Sequence, residues 1–229
     1  MSTVDLTRPG IWKKLFPHAL ALMAHLESVI EHATWTFGGG TVLMLRIGHR
    51  QSKDIDLFVP DPQYLGHVNP RLSDTAELIT TDYQESTEFI KLFLPEGEID
   101  IVVGTPLTDN PFEVVNHRGR EIKVETSAEI IAKKMWHRGD RAKARDLYDL
   151  CAVADLEPQA IAAAAPFFAR HGAAFIERLT QRAAQVEAEF AEIDVIAHGK
   201  PFGACMQQAR EIIESTIRRR SPRGPLRRS

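Results

Sequence analysis

Two aspartates separated by one residue, Asp54 and Asp56, are the first side chains in this sequence whose types and spacing could do chemistry. They sit in RQSKDIDLFV, a stretch whose second half reads as a strand. Side chains alternate faces along a strand, so both carboxylates point one way and Ile55 points into the core. Two such carboxylates repel unless a cation lies between them. A hard divalent ion, Mg²⁺ or Mn²⁺, is held by one or two carboxylates together with substrate phosphates. A short apolar run upstream ends in three glycines followed by Thr41. Gly39, Gly40 and Thr41 suit a strand-to-helix turn that lets a phosphate approach backbone N–H groups at a helix N-terminus. Arg50 could neutralise a phosphate and Ser52 could donate to one or fix the loop. A phosphate cradle beside metal-binding carboxylates is the minimal equipment for phosphoryl or nucleotidyl transfer. Each feature also has a plainer reading: a tight turn, a surface arginine, two solvated acids.

A third carboxylate, Asp100, lies in EIDIV. It alternates with Ile99 and Ile101, which sets it in a strand and could bring it to the same side as the paired acids. There it would help hold metal and accept the proton of an attacking hydroxyl; otherwise it is an edge-strand acid facing water. A second cluster occupies residues 129–150, EIIAKKMWHRGDRAKARDLYDL. Lys133 and Lys134 are adjacent, point to different sides of a helix, and only one is expected to face a site. Arg145 and Asp149 are four apart and could pair along their helix. Asp146 and Asp149 share roughly one face. Taken alone, the cluster reads as a salt-bridged helical hairpin.

The combination GGGT followed by RxSxDxD resembles the polymerase-β-like nucleotidyltransferases, and more narrowly the AbiEii/AbiGii-type toxin branch. That branch pairs its first motif with a later ExxAxK and then RDxYDL. The counterparts here are Glu129, Ala132 and Lys134, then Arg145, Asp146, Tyr148, Asp149 and Leu150. The resemblance spans residues 36–150. It implies that Lys134 contacts the nucleotide phosphates and that Asp146 completes the site from a helical domain. Lys133 departs from the pattern, since many relatives carry an acid there. The resemblance further implies a nucleoside triphosphate substrate, a toxin held in check by a separately encoded antitoxin, and tRNA as acceptor. A small-molecule acceptor of aminoglycoside type, a protein acceptor, or a catalytically silent nucleotide-binding regulator are the other functions the motifs admit.

The elements that must position these residues follow from periodicity. Residues 11–32 show the apolar spacing of one amphipathic helix, with Pro17 as a possible kink. Strands are expected at 34–37, 54–59, 87–94 and 98–103, with two more around Arg118-Gly119, and a helix at 41–48. Residues 63–82 give no clear pattern. From Thr126 or Ser127 the period becomes helical, with Ser127 as a cap and helices at 128–138, 142–154, 158–168, 173–192 and 203–219. The expected fold is α/β (α+β): a polymerase-β-like nucleotidyltransferase core with a small mixed sheet at 1–125, then a helical domain at 126–219 that completes the cleft.

The chain has 229 residues, is 44% hydrophobic and 26% charged, and carries a net charge of −3, which suits a soluble globular protein. Six arginines crowd its last twelve residues, so 220–229 reads as a basic tail, expected to be disordered. Cys151 and Cys205 lack metal-ligand spacing. No signal pattern or membrane-length apolar run is present, and a cytoplasmic protein with no membrane partner is expected.

Overall fold

In the computed structural model of the chain, residues 2–220 are described. The basic tail at 221–229 lies outside the described residues. Helix α1 (Trp12–Val29) is continuous through Pro17 and buries Trp12, Leu15, Phe16, Ala19, Leu22, Met23 and Leu26 on one face. Strand β1 (Thr36–Gly38) leads into helix α2 (Gly39–Ile47), which is buried on nearly all sides and ends at Gly48 in the left-handed conformation. Strand β2 (Ile55–Val59) follows. A 3-10 turn at Pro62–Val68 and helix α3 (Asp74–Glu77) then lead to strands β3 (Tyr83–Glu85), β4 (Phe89–Leu94), β5 (Gly97–Val103), β6 (Phe112–His117) and β7 (Arg120–Glu125).

The strands form one seven-stranded mixed sheet in the order β3-β4-β5-β2-β1-β7-β6. β4 and β5 make the expected hairpin, and β6 and β7 a second one around Arg118-Gly119. The central pair, β2 and β5, is parallel, and its register sets Asp56 opposite Asp100. On β2 the residues Ile55, Leu57 and Val59 are buried under α1 and α2, leaving Asp56 and Phe58 on the other face.

Every element after Glu125 is helical: α4 (Ser127–Arg138), α5 (Ala144–Leu156), α6 (Pro158–Ala164), α7 (Gly172–Gln181), α8 (Ala183–Ala191) and α9 (Phe202–Arg220). Helices α4 and α5 pack against α2, and the buried apolar side chains run as one cluster from Val4 to Ile213. No helix among the described residues is long and apolar enough to cross a membrane.

Four expectations need correction. Strand β2 begins at Ile55 rather than Asp54, because the Asp54 carbonyl accepts from Thr41 Oγ1 and its carboxylate accepts from the Glu98 N–H. The cap of α4 is Thr126, whose hydroxyl accepts from the Glu129 N–H; Ser127 is already in the first turn. The helix expected over 173–192 is two helices that break at Arg182, and that over 158–168 gives way to a 3-10 turn at Ala165–Ala169, where Pro166 lacks a donor. Edge strand β3, three residues long, falls between the stretch that showed no pattern and the strand expected at 87–94.

Candidate active site

Between the exposed face of the sheet and helices α4 and α5 lies a cleft of about 650 Å³. Its floor is built by strand alternation. Asp56 and Phe58 rise from β2, and Asp100 and Val102 from β5 beside them. The N-terminus of α2 closes one wall through Gly39 and Gly40. The first N–H groups of a helix have no acceptor within it and carry the positive end of its dipole, so this wall favours an anion. Gly39 has φ +73°, and a Cβ there would overlap the Asp56 carboxylate. The glycine turn and the paired acids are therefore in contact. A Gly39→Ala substitution is expected to cut turnover at least tenfold by displacing Asp56, while Gly119→Ala, at a positive φ with open space around it, leaves turnover unchanged. Steady-state kinetics on both variants check the contrast.

Thr41 is fully buried and does not line the cleft. Its hydroxyl donates to the Asp54 carbonyl at 2.5 Å and lies 3.0 Å from Ser52 Oγ, so the side chain fixes the loop that carries the acids. Ser52 and Asp54 line the cleft, and Asp54 Oδ1 accepts from the Glu98 N–H at 3.1 Å.

The helical side contributes charge. Contrary to expectation, both lysines line the cleft, because α4 lies over it with β7 to one side and α5 to the other. Lys133 Nζ bonds Glu125 at 2.6 Å and sits 3.9 Å above the Phe58 ring. Lys134 Nζ sits between Asp146 Oδ1 at 2.8 Å and Asp149 Oδ2 at 2.9 Å. Asp146 is buried, also accepts from Arg138 and from the Lys143 N–H, and does not line the cleft. It aims Lys134 and Arg138.

Arg50 is neither a surface charge nor a free phosphate ligand. Its guanidinium is buried and grips Asp149 with Nε–Oδ1 2.6 Å and Nη2–Oδ2 2.9 Å, while its edge still lines the cleft. His49 Nε2 lies 2.8 Å from the same carboxylate. The expected Arg145–Asp149 pair does not form, since Asp149 turns inward to Arg50 and Lys134. Burial alone would raise the pKa of Asp149; Arg50 and Lys134 outweigh it and hold the carboxyl well below the usual carboxylate range. Asp146 is lowered in the same way, by Lys134 and Arg138 against burial.

The acids on the sheet behave oppositely. Burial, then the neighbouring Asp56 charge, pushes the Asp100 pKa up to about 6. Burial likewise raises Asp56. Both groups therefore disfavour their own charge in this setting. Asp100 Oδ1 is buried and has no hydrogen-bond partner. Among the described residues, no three His, Cys, Asp or Glu side chains close into a ready ligand cluster. Asp54 is turned to the Glu98 N–H, and Asp100 Oδ2 lies 3.0 Å from Lys91 Nζ. Two hard carboxylates in register, one with an orphaned oxygen, fit a hard divalent cation.

Sequence reasoning passed over Lys91, Glu125 and the basic rim of Arg138, Arg141 and Lys143, which join Arg145 around the mouth of the cleft. Lys91 alternates with apolar neighbours on β4, as Asp100 does on β5, and that shared pattern was the available signal. Glu125 carried no signal, because its place opposite Lys133 depends on the tertiary fold.

The family model described as nucleotidyl transferase AbiEii toxin, type IV toxin–antitoxin system, matches residues 21–215. No curated protein matches. Among solved structures, a candidate nucleotidyltransferase from H. pylori is 14% identical, with a TM-score of 0.47 over 90% of this chain and 96% of that one. JHP933 from Helicobacter pylori is 14% identical, with a TM-score of 0.45 over 90% and 93%. The STING-associated CdnE c-di-GMP synthase from Capnocytophaga granulosa is 12% identical, with a TM-score of 0.33 over 93% and 82%.

Proposed function

Because the chain belongs to the nucleotidyl transferase AbiEii toxin family of type IV toxin–antitoxin systems, we propose that it is a metal-dependent toxin that moves a nucleoside monophosphate from an NTP to a hydroxyl of tRNA. The family implies a nucleoside triphosphate substrate and an antitoxin partner. The observation that carries the reading is the register of Asp56 with Asp100 on the cleft floor, beside the glycine turn and below Lys134. Residues 1–125 act as the nucleotidyltransferase core, and 126–219 as the domain that closes the cleft.

In this account the triphosphate lies against the N-terminus of α2 at Gly39 and Gly40. Asp56 and Asp100, with Asp54 at the strand entry, would hold a divalent ion. That ion, when bound, draws charge from the phosphate oxygens and lowers the cost of bringing two anions together. Lys134, aimed by Asp146 and Asp149, neutralises charge that grows on the phosphate oxygens. Arg50 and Thr41 hold the loop that bears Ser52 and Asp54. The acceptor oxygen attacks the α-phosphorus, and the bond from that phosphorus to the β-bridging oxygen breaks. The hydroxyl proton passes to Asp100, and pyrophosphate departs. Positioning and charge neutralisation supply most of the acceleration.

The acceptor class is argued from the rim. Arg138, Arg141, Lys143 and Arg145 crowd the mouth of a chain whose net charge is −3. Their mutual repulsion is felt at Lys143, whose pKa is pushed below its usual value by Arg145 first, then burial, then Arg138. Such a rim attracts a polyanion and repels a cationic drug. Replacing Arg141, Lys143 and Arg145 together with glutamate is expected to raise the KM for tRNA roughly tenfold or more and to flatten its salt dependence. The KM for the NTP should change far less. A triple variant with an unchanged KM and salt dependence for tRNA would remove the rim from the account, and one that gains activity on an aminoglycoside would replace RNA as the acceptor.

A further inference from the structure

The carboxylate face holds a cation of its own. Strands β2, β5 and β4 lie side by side and present Asp56, Asp100 and Lys91 in one row, since Asp100 is in register with both neighbours. Lys91 Nζ lies 3.0 Å from Asp100 Oδ2 and 2.6 Å from Glu98 Oε2, at the edge of the same cleft. Its side chain is 26% exposed, so the pair is shielded from bulk water without being sealed. The contact with Lys91 is made by Oδ2, so Oδ1, buried and without a hydrogen-bond partner, is the uncommitted oxygen of Asp100. A second divalent ion on Asp100 would have to share that carboxylate with an ammonium already in contact with it, against direct repulsion between the two cations.

We propose that Lys91 is a built-in second cation, which takes the place of a second divalent ion at Asp100 and leaves the chain with one metal ion per active site. The inference rests on the nucleotidyl-transfer reading and deepens it: the one ion is that held by Asp56 and Asp100 with the triphosphate. Lys91 acts as a positioning residue. It fixes the Asp100 carboxylate toward the cleft and balances its charge, with Glu98 holding the ammonium from the other side. A cross-strand ion pair with a purely structural role would alter stability when removed and leave the ion count untouched.

The test is a count. Full-length protein is saturated with the four non-hydrolysable α,β-methylene NTPs and titrated with Mn²⁺, with the free ion read by electron paramagnetic resonance. The wild type is expected to bind one Mn²⁺ per chain, Lys91→Gln two, and Lys91→Arg, which keeps the charge, one. Thermal melts confirm that each variant is folded. Two ions in the wild type, or one ion in a folded Lys91→Gln protein, would overturn the proposal while leaving nucleotidyl transfer intact. Failure of the wild type to bind any analogue would instead remove the nucleotidyl-transfer premise, and the proposal with it.

Discussion

An Asp56→Asn enzyme is expected to fold normally and to lose nucleotidyl transfer by on the order of 10³-fold or more. The substitution keeps shape and volume and deletes one charge. That charge stands in register with Asp100, touches the glycine turn, and is disfavoured by burial in the isolated protein. Removing it relieves repulsion with Asp100, so the melting temperature without metal should hold or rise. Under the proposed function, the same change would strip the cation of a ligand and leave the phosphate charge uncompensated. Steady-state pyrophosphate release, paired with a thermal melt in EDTA, reads both sides. Activity within about threefold of wild type would show that Asp56 is not at the reacting centre, since a residue there carries several powers of ten.

The second large effect is on stability. Asp149→Ala is expected to destabilise the fold by roughly 3–5 kcal/mol, the range for breaking a buried ion pair by removal of one partner. Asp149 is fully buried and is shared by Arg50, Lys134 and His49. Without it, the Arg50 guanidinium is left buried and unpaired, and Lys134 keeps Asp146 alone. Urea denaturation measures the difference, and a shift under about 1 kcal/mol would mean that the cluster relaxes into water. The pH dependence has a definite sign. The folded pKa values of Asp146 and Asp149 are depressed, so the stability they contribute is fully present above the unfolded value of about 4 and is lost as pH falls toward the folded values. The Asp149→Ala variant should therefore lose less stability than wild type on acidification below pH 4. Activity falls too, because Arg50 positions the loop with Ser52 and Lys134 loses half its aim.

Much of the site was legible in the chain because it depends on strand alternation and on one turn. The period of two set Asp56 and Asp100 on one face once β2 and β5 paired, and the glycines marked a turn whose positive φ at Gly39 tolerates no Cβ beside Asp56. Thr41 and Arg50 were assigned to phosphate from their neighbourhood alone. Their partners, the Asp54 carbonyl and Asp149, are 13 and 99 residues away, and only the fold shows that both side chains are committed. The same holds for Lys133, which a helical projection turns away from the site. The cleft wraps around both sides of α4, so the projection misleads. Strand β3 is short and polar, and it owes its place to the ladder with β4 rather than to any apolar pattern of its own. The change from strand to helix at Glu125 and Thr126 was readable because the apolar period changes there.

The most direct measurement is transfer of label from each of the four α-labelled NTPs to total tRNA, with Mg²⁺, by wild type and by Asp56→Asn. The account predicts label on tRNA from at least one NTP with the wild type, none when the label is on the γ-phosphate, and none with the variant. Equal labelling by the variant, or no α-label on tRNA from any NTP, would contradict it.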